Sequence, residues 1–138
     1  MEAKIKISTK QYGQNNNTDT MEVNAVGKIF EKNNDIYLVY EEVEDGQKIT
    51  NTIKISDKEV SIKKFGNVNS LMVFKEKHKH LTKYRTNQGL FIIETETNKL
   101  VVDKSEKNYI KLNIEYNINI LDLFKGKNEI NILIEYNI

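Results

Sequence analysis

Hydrophobic and polar residues alternate along most of the chain, and the alternation is clearest near the C-terminus. Asn, Lys or Glu occupies most of the intervening positions in two long runs. A period of two places successive side chains on opposite faces of a β-strand, one face buried and the other wet. The runs therefore predict two long strands, with inward positions Ile110, Leu112, Ile114, Tyr116, Ile118 and Ile120 in the first and Ile130, Ile132, Ile134, Tyr136 and Ile138 in the second.

Two turn signals fix the register of three central strands. Asp45-Gly46 is a strong two-residue hairpin signal, and centring the hairpin there pairs Glu44 with Gln47. A second turn at Asp57-Lys58 adds the third strand. A slip of one residue would turn every side chain to the other face, so agreement between the two registers is informative. Both place the same residues on one apolar face: Ile36, Leu38, Ile53, Ile55, Val60 and Ile62.

The whole pattern predicts eight to ten antiparallel strands in sequential order within a single domain spanning residues 1–138. So many strands either close into a barrel or split into two sheets. We expect an up-and-down barrel because tight hairpins dominate, with a β-sandwich as the competing architecture. Departures from simple strands are expected as a loop at 14–19, a bulge or bend at Gly27, a turn or bulge at Asn98-Lys99, and a helical turn within 121–127.

Composition narrows the function classes. The 138 residues include no cysteine, which excludes disulfides, thiolate zinc sites and cysteine nucleophiles. The net charge of +1 offers no broad electrostatic footprint for nucleic acid. No apolar run approaches a membrane span, and the N-terminus lacks the apolar core of a signal peptide. We expect a soluble, cytoplasmic protein, and the heavy use of Asn, Lys and Ile is typical of an AT-rich, bacterial genome.

A set of strand and turn patterns covers most of the chain from about residue 20 onward. The segments are 37–42, 52–55, 60–66, Phe74, Tyr84 with Gly89, 95–97 and 114–116. In these segments the chain resembles the YwiB-like family of small, uncharacterised bacterial proteins. The resemblance implies a calycin, or lipocalin-like, β-barrel and no assigned activity. One departure is Lys64, where the family tends to have arginine, and lysine does not replace a bidentate arginine contact.

Four residues are candidates for binding a ligand. The register makes Tyr40, Asn51 and Lys64 neighbours on the apolar side of the sheet. Glu42 lies on the same side, at the end of the apolar strip, where a carboxylate is suited to anchor a ligand at a barrel mouth. A polar row at the rim of an apolar lining suits an amphipathic ligand. Polar residues also appear wherever the edge of a sheet extends beyond the hydrophobic core, and that interpretation, which involves no ligand, is favoured.

Other chemistries have weaker support. His78 and His80 point the same way on a strand and with Glu76 would offer zinc ligands, but the neighbouring lysines oppose a dication, so no metal or cofactor is expected. No nucleophile elbow or phosphate-binding glycine loop is present in the sequence. Aromatic residues interleaved with lysines are better explained by core packing than by nucleic-acid binding. The chain is therefore expected not to be an enzyme.

Two functional hypotheses follow. The first is a binder that holds a small apolar or amphipathic molecule inside the barrel, since an eight-stranded barrel either holds one small ligand or fills itself with side chains. The second is a protein-interaction or structural module with a filled core. The Ile-rich strand ending at Ile138 favours this alternative if its edge is free, because a free edge invites pairing into a homodimer.

Overall fold

Ten antiparallel strands form one continuous sheet in the computed structural model, which describes residues 1–13, 18–121 and 123–137. None of the described residues is helical, so none of them forms a helix suited to crossing a membrane. The strands are β1 (Glu2–Tyr12), β2 (Thr18–Lys32), β3 (Asp35–Glu44), β4 (Gln47–Ile55), β5 (Val60–Phe65), β6 (Ser70–Phe74), β7 (Lys79–Thr86), β8 (Gly89–Asp103), β9 (Tyr109–Ile120) and β10 (Phe124–Tyr136).

The strand order confirms a nearly closed up-and-down barrel. Neighbours in the sheet are neighbours in sequence, except that β1 pairs with β10, for example Ile7 with Ile132. The two outermost strands are β6 and β7, which meet at a single backbone bridge. There the amide nitrogen of Asn69 donates to the carbonyl of Arg85, and the reverse bond is also 3.1 Å. We call the line between β6 and β7 the seam.

The predicted register of the central meander is confirmed. Leu38 opposes Ile53 and Glu44 opposes Gln47, as the Asp45-Gly46 turn requires. Ile53 in turn opposes Ile62 on β5. Asp45 and Gly46 have φ values of 52° and 76°, the positive pair that a type I′ turn needs. The expected loop at 14–19 is only partly described: residues 14–17 lie outside the described chain, and Thr18 and Asp19 belong to β2.

The helical turn expected within 121–127 lies partly outside the described residues, because residue 122 is not described. Residues 124–127 belong to β10, which begins at Phe124, and the amide of Leu123 donates to the carbonyl of Ile120 at 3.0 Å. The inward positions at the start of β10 are Phe124, Gly126 and Asn128, so the apolar alternation is interrupted there although the strand is not. The expected bulge is confirmed, because the β8–β9 register shifts between Thr97 and Lys99.

Gly27 marks the point where β2 and β3 separate. Pairing between these strands starts at Lys28 with Val39 and continues towards the 33–34 turn. A Cβ at Gly27 would collide with the carbonyl oxygen of Val39 and lie 2.9 Å from the Cβ of Tyr40. The bend predicted here therefore depends on a close backbone approach that only glycine permits.

The two ends of the barrel differ. We call the end carrying the 33–34, 56–59, 75–78 and 104–108 connections the base, and the end carrying the 45–46, 66–69, 87–88 and 120–124 connections the mouth. The core fills the base half with closely packed aliphatic side chains. Fully buried members are Leu38, Ile53, Ile55, Val60, Phe74, Ile114 and Ile134.

Candidate binding site at the mouth of the barrel

Inward-facing positions change from aliphatic to polar between the base and the mouth. On β4, Ile55 and Ile53 are followed towards the mouth by Asn51, and all three are 0% exposed. On β3, Leu38 is followed by Tyr40 and then Glu42. The gradient results from the sequence, since alternate positions of each strand share one face. On β3, β4 and β5, polar inward residues thus lie above an apolar floor, with Ile49 as a buried apolar position opposite Glu42.

The structure brings the four predicted site residues together. Tyr40 opposes Asn51, which opposes Lys64 on the next strand. The amide Nδ2 of Asn51 donates to Oε1 of Glu42 at 2.8 Å. The ammonium Nζ of Lys64 lies 3.8 Å from the same oxygen, and both charged side chains are only partly exposed. We call these residues the mouth cluster: Tyr40, Glu42, Asn51 and Lys64.

Asn51 carries an unused hydrogen-bond acceptor. Its Oδ1 is buried and has no hydrogen-bond partner among the residues that the structure describes. The amide cannot simply be turned around, because the Glu42 carboxylate only accepts hydrogen bonds and must face the Nδ2 group. A buried acceptor without a donor costs about 1–3 kcal/mol. The site therefore holds a fixed acceptor that a bound donor would satisfy.

Carboxylates dominate the electrostatics of the mouth. Burial, reinforced by the nearby charge of Glu42, raises the pKa of Tyr40 well above its ordinary value. Burial and the charges of Glu44 and Glu42 also raise the pKa of Tyr84 on β7. β7 is separated from β3 by several strands, so the field of the two glutamates reaches across the mouth to the facing wall.

A second polar group on β8, β9 and β10 was not predicted from the sequence. Tyr116 opposes Thr97 on one side and Asn128 on the other. Nδ2 of Asn128 lies 3.0 Å from the Tyr116 hydroxyl, and burial raises the pKa of that hydroxyl. Oγ1 of Thr97 and Oδ1 of Asn128 are buried without partners. Extending the period-two pattern of β10 backwards from Ile130 would have placed Asn128 inside.

Several inward-facing aliphatic residues in the mouth half are partly exposed to solvent. Ile62 and Met72 oppose each other on β5 and β6 and are both only half-buried, although their neighbours Val60 and Phe74 are 0% exposed. Ile118 and Ile7 on the opposite wall show the same behaviour. These inward-facing positions are therefore less closely packed than those of the base half. The floor below is formed in part by Phe74 and Tyr116, whose ring centroids are 4.8 Å apart.

The two histidines serve separate structural contacts. Nδ1 of His78 lies 2.8 Å from the carbonyl oxygen of Glu76, and Nε2 of His80 lies 3.3 Å from that of Leu71. The Glu76 carboxylate accepts from the amide of Leu100 at 3.0 Å, next to the β8 bulge. Within the described residues, no group of three histidine or carboxylate side chains is arranged to hold a metal ion.

Together, the fold and the site define a nearly closed ten-stranded barrel with an apolar floor and an acidic, polar mouth. The chain belongs to the family described as Domain of unknown function (DUF1934), whose model matches residues 5–132. It is similar in structure to the crystal structure of the ywiB protein from Bacillus subtilis, with a TM-score of 0.86 and 20% sequence identity over 99% of this chain and 92% of that one. The resemblance noted in the sequence is thus confirmed, and at this identity the structural match establishes the fold alone. No curated protein matches the sequence significantly.

Proposed function

We propose that the protein is a cytoplasmic binder of a small amphipathic molecule, which enters the mouth of a calycin-like barrel. The observation that carries the proposal is the buried, unpartnered Oδ1 of Asn51, held in place by Glu42 above an apolar floor. Ligand sites are concave, largely apolar and furnished with a few convergent polar groups. The absence of cysteine from the sequence fits a reducing compartment.

The buried polar residues of the lining make the protein less stable than a barrel filled with aliphatic side chains would be. Asn51 replaces an aliphatic residue in a row that otherwise runs Ile49, Ile53 and Ile55, all nearly or fully buried. Thr97 and Asn128 add further unpartnered atoms on the opposite wall. A core selected only for packing would place aliphatic side chains at these positions. Buried polar groups that lack a protein partner need an explanation, and a ligand that completes them supplies one.

Native mass spectrometry of the protein purified from its own or a related host tests the proposal. We expect a stoichiometric small-molecule adduct that is released on denaturation. The Asn51→Leu variant replaces the amide by an apolar side chain of the same branching, which removes both the acceptor and the donor to Glu42. It should lose the adduct while remaining folded.

Asn117→Leu is the matched control, since Asn117 is exposed on the outer face of the barrel. This variant should keep the adduct. A mass without adduct for the wild-type protein from its native host would count against a ligand-binding barrel, as would an adduct retained equally by Asn51→Leu.

A homodimer through a strand edge is a second proposal, with a different location from the one expected from the sequence. β10 is paired on both sides, by β1 and by β9, and Ile138 lies outside the described residues. The edges that face no regular partner are those of β6 and β7 at the seam, where Leu71 and Leu81 are 41% and 62% exposed. Light scattering on the wild type and on Leu81→Lys tests it: a dimer that becomes a monomer in the variant supports the proposal, and a monomeric wild type contradicts it.

A further inference from the structure

We infer that the mouth selects a ligand with a cationic, hydrogen-bond-donating head group, such as a primary amine on an apolar body, over a carboxylate of the same length. The inference rests on the proposed function, because it names the chemistry of the ligand that the mouth cluster binds. The polarity of the groups that face the lumen supports the inference, and strand register fixes the positions of those groups.

The charges at inward positions of the mouth half are mainly negative. Glu42 and Glu44 occupy the inward face of β3, and Asp19 occupies an inward position on β2, opposite Gln11. Lys64, on β5, is a lysine at an inward position of the same half. His80 on β7 also faces inward, but its ring is bonded to the backbone at the seam. Within the described residues, carboxylates therefore outnumber ammonium groups on the lumen side of the mouth.

The single inward lysine is already engaged. Its Nζ lies 3.8 Å from Oε1 of Glu42, so its charge is offset by the carboxylate that Asn51 also contacts. A carboxylate ligand would have to displace Glu42 from this pair and then face Glu42 and Glu44 at close range. In a partly desolvated site, that like-charge approach is strongly unfavourable.

The unpartnered atoms call for a donor rather than an acceptor. Oδ1 of Asn51 is only an acceptor, and its orientation is fixed by the bond from Nδ2 to Glu42. An ammonium group has three donors and no acceptor. Placed beside Oδ1, it gains one hydrogen bond from Asn51 and lies within reach of the negative field of Glu42. Both interactions favour the amine, and an alcohol of equal length gains only the first.

Below the mouth cluster, the lining suits an alkyl chain. Ile62 and Met72 face inward and are only partly buried, and Phe74, the next inward position on β6 towards the base, is fully buried. A short aliphatic chain lying along these residues would bury its surface at about 25 cal/mol per Å². The head group then meets Asn51 and Glu42, which lie closer to the mouth on neighbouring strands.

Three probes of equal chain length test the inference: octylamine, octan-1-ol and octanoate, each below its micelle concentration. Two-dimensional NMR of the isotope-labelled protein reports both the affinity and the location of binding. We expect octylamine to bind with one-to-one stoichiometry, to shift the amides of Asn51, Ile62 and Met72, and to bind at least about tenfold more tightly than octanol or octanoate, as one charge-assisted hydrogen bond allows.

The variant Glu42→Gln removes the charge but keeps a side chain that can accept the bond from Asn51. We expect it to weaken octylamine binding about tenfold, and to weaken octylamine binding more than octanol binding. Glu41→Gln is the matched control, since Glu41 is the next residue on β3 and is exposed on the outer face. It removes the same charge from the protein and should leave the affinity for octylamine unchanged.

The possible failures are distinguishable. Preferential binding of octanoate in the lumen, or equal binding of all three probes there, overturns the head-group inference and leaves the proposed function standing. Amine-induced shifts confined to outer carboxylates, or equal effects of Glu41→Gln and Glu42→Gln, overturn it as well. No lumen shifts from any probe, together with an adduct-free native mass, overturn both proposals.

Discussion

Tyr40 is a buried aromatic residue between the core and the mouth cluster. Its side chain is only 5% exposed, and it stands between Leu38 of the core and Glu42 of the mouth cluster. Burial and the negative field of Glu42 both disfavour the phenolate. The phenol of Tyr40 therefore keeps its proton to a higher pH than an exposed tyrosine does.

The raised pKa of Tyr40 predicts a loss of stability in alkali. In the unfolded chain tyrosine ionises near pH 10, whereas the folded protein holds the proton to higher pH. The stabilising difference is complete below about pH 10 and declines as the pH rises above it. Tyr40→Phe should flatten this decline, as measured by urea unfolding at pH 8 and at pH 11.

Tyr37→Phe is the control for that experiment, because Tyr37 lies on the outer face of β3, stacked on Phe30 with ring centroids 5.4 Å apart. It should keep the wild-type alkaline decline. If Tyr40→Phe loses stability between the two pH values as steeply as the wild type does, the phenol is not protected in the fold.

At the residue scale, sequence reasoning found one wall of the site and missed the other. Tyr40, Asn51 and Lys64 were predicted neighbours because two short turns fixed the register of their strands. Thr97 and Asn128 were missed for a physical reason. Their strands, β8 and β10, both pair with β9. The β8–β9 register shifts at a bulge after Thr97, and polar inward residues conceal where β10 begins.

At the scale of elements, the seam is the least regular part of the barrel wall. Beyond the bridge at Asn69 and Arg85, side chains bond to the backbone where a ladder would use backbone groups. The amide of Leu71 donates to Oγ1 of Thr82 at 3.4 Å, and the ring of His80 lies 3.3 Å from the carbonyl of Leu71. β6 and β7 are thus connected without forming a regular pair.

Replacing Thr82 by valine should loosen the seam. Valine keeps the shape of threonine but removes the hydroxyl that accepts from Leu71, which should lower the free energy of unfolding by about 1 kcal/mol. Amide hydrogen exchange should accelerate at Leu71 more than elsewhere in β6. Equal protection of Leu71 in both proteins would show that Thr82 does not hold the seam.

Thr52→Val is the control, because Thr52 lies on the outer face of β4, paired with Val39 and Lys63 in a regular ladder. It should leave exchange at Leu71 unchanged. The comparison separates loss of a specific acceptor from the general effect of exchanging threonine for valine on a strand.

Prediction of the elements succeeded where turns are short and strands alternate cleanly. The meander from β3 to β5 has its turns and register as predicted. The first residues of β10 were not predicted as a strand. Gly126 and Asn128 occupy inward positions there, so the apolar alternation of β10 begins only at Ile130. Side-chain polarity conceals a strand whenever its inward face lines a polar space rather than the core.

For the molecule as a whole, the topology makes one pairing far less local than the rest. Every ladder joins sequence neighbours except β1 with β10, where Ala3 pairs with Tyr136. The 75–78 connection, by contrast, spans strands that hardly pair. A circular permutation that links the present chain ends and opens the 75–78 connection would make the sheet a single meander, with its strands in sequence order from β7 to β6.

Such a permutant, with a short linker between the present ends of the chain and new ends opened in the 75–78 connection, should form the same barrel and fold faster than the wild type. Folding rates rise as contacts become more local in sequence. Stopped-flow refolding and circular dichroism measure both properties. A permutant opened instead at Asp45-Gly46 should fold more slowly than the first, because it breaks a local hairpin; the reverse order would contradict the topological account.

The pairing of β1 with β10 also has a consequence for synthesis on the ribosome. β1 emerges before β10, which begins only after roughly 110 further residues, or about 6–22 s at typical translation rates. During that interval β1 can pair with β2 on one side while its other edge waits in water. Lys4, Lys6 and Lys10 alternate along its outer face. Charges of this kind discourage association between nascent chains, so the N-terminal strand is suited to waiting for the strand that closes the sheet.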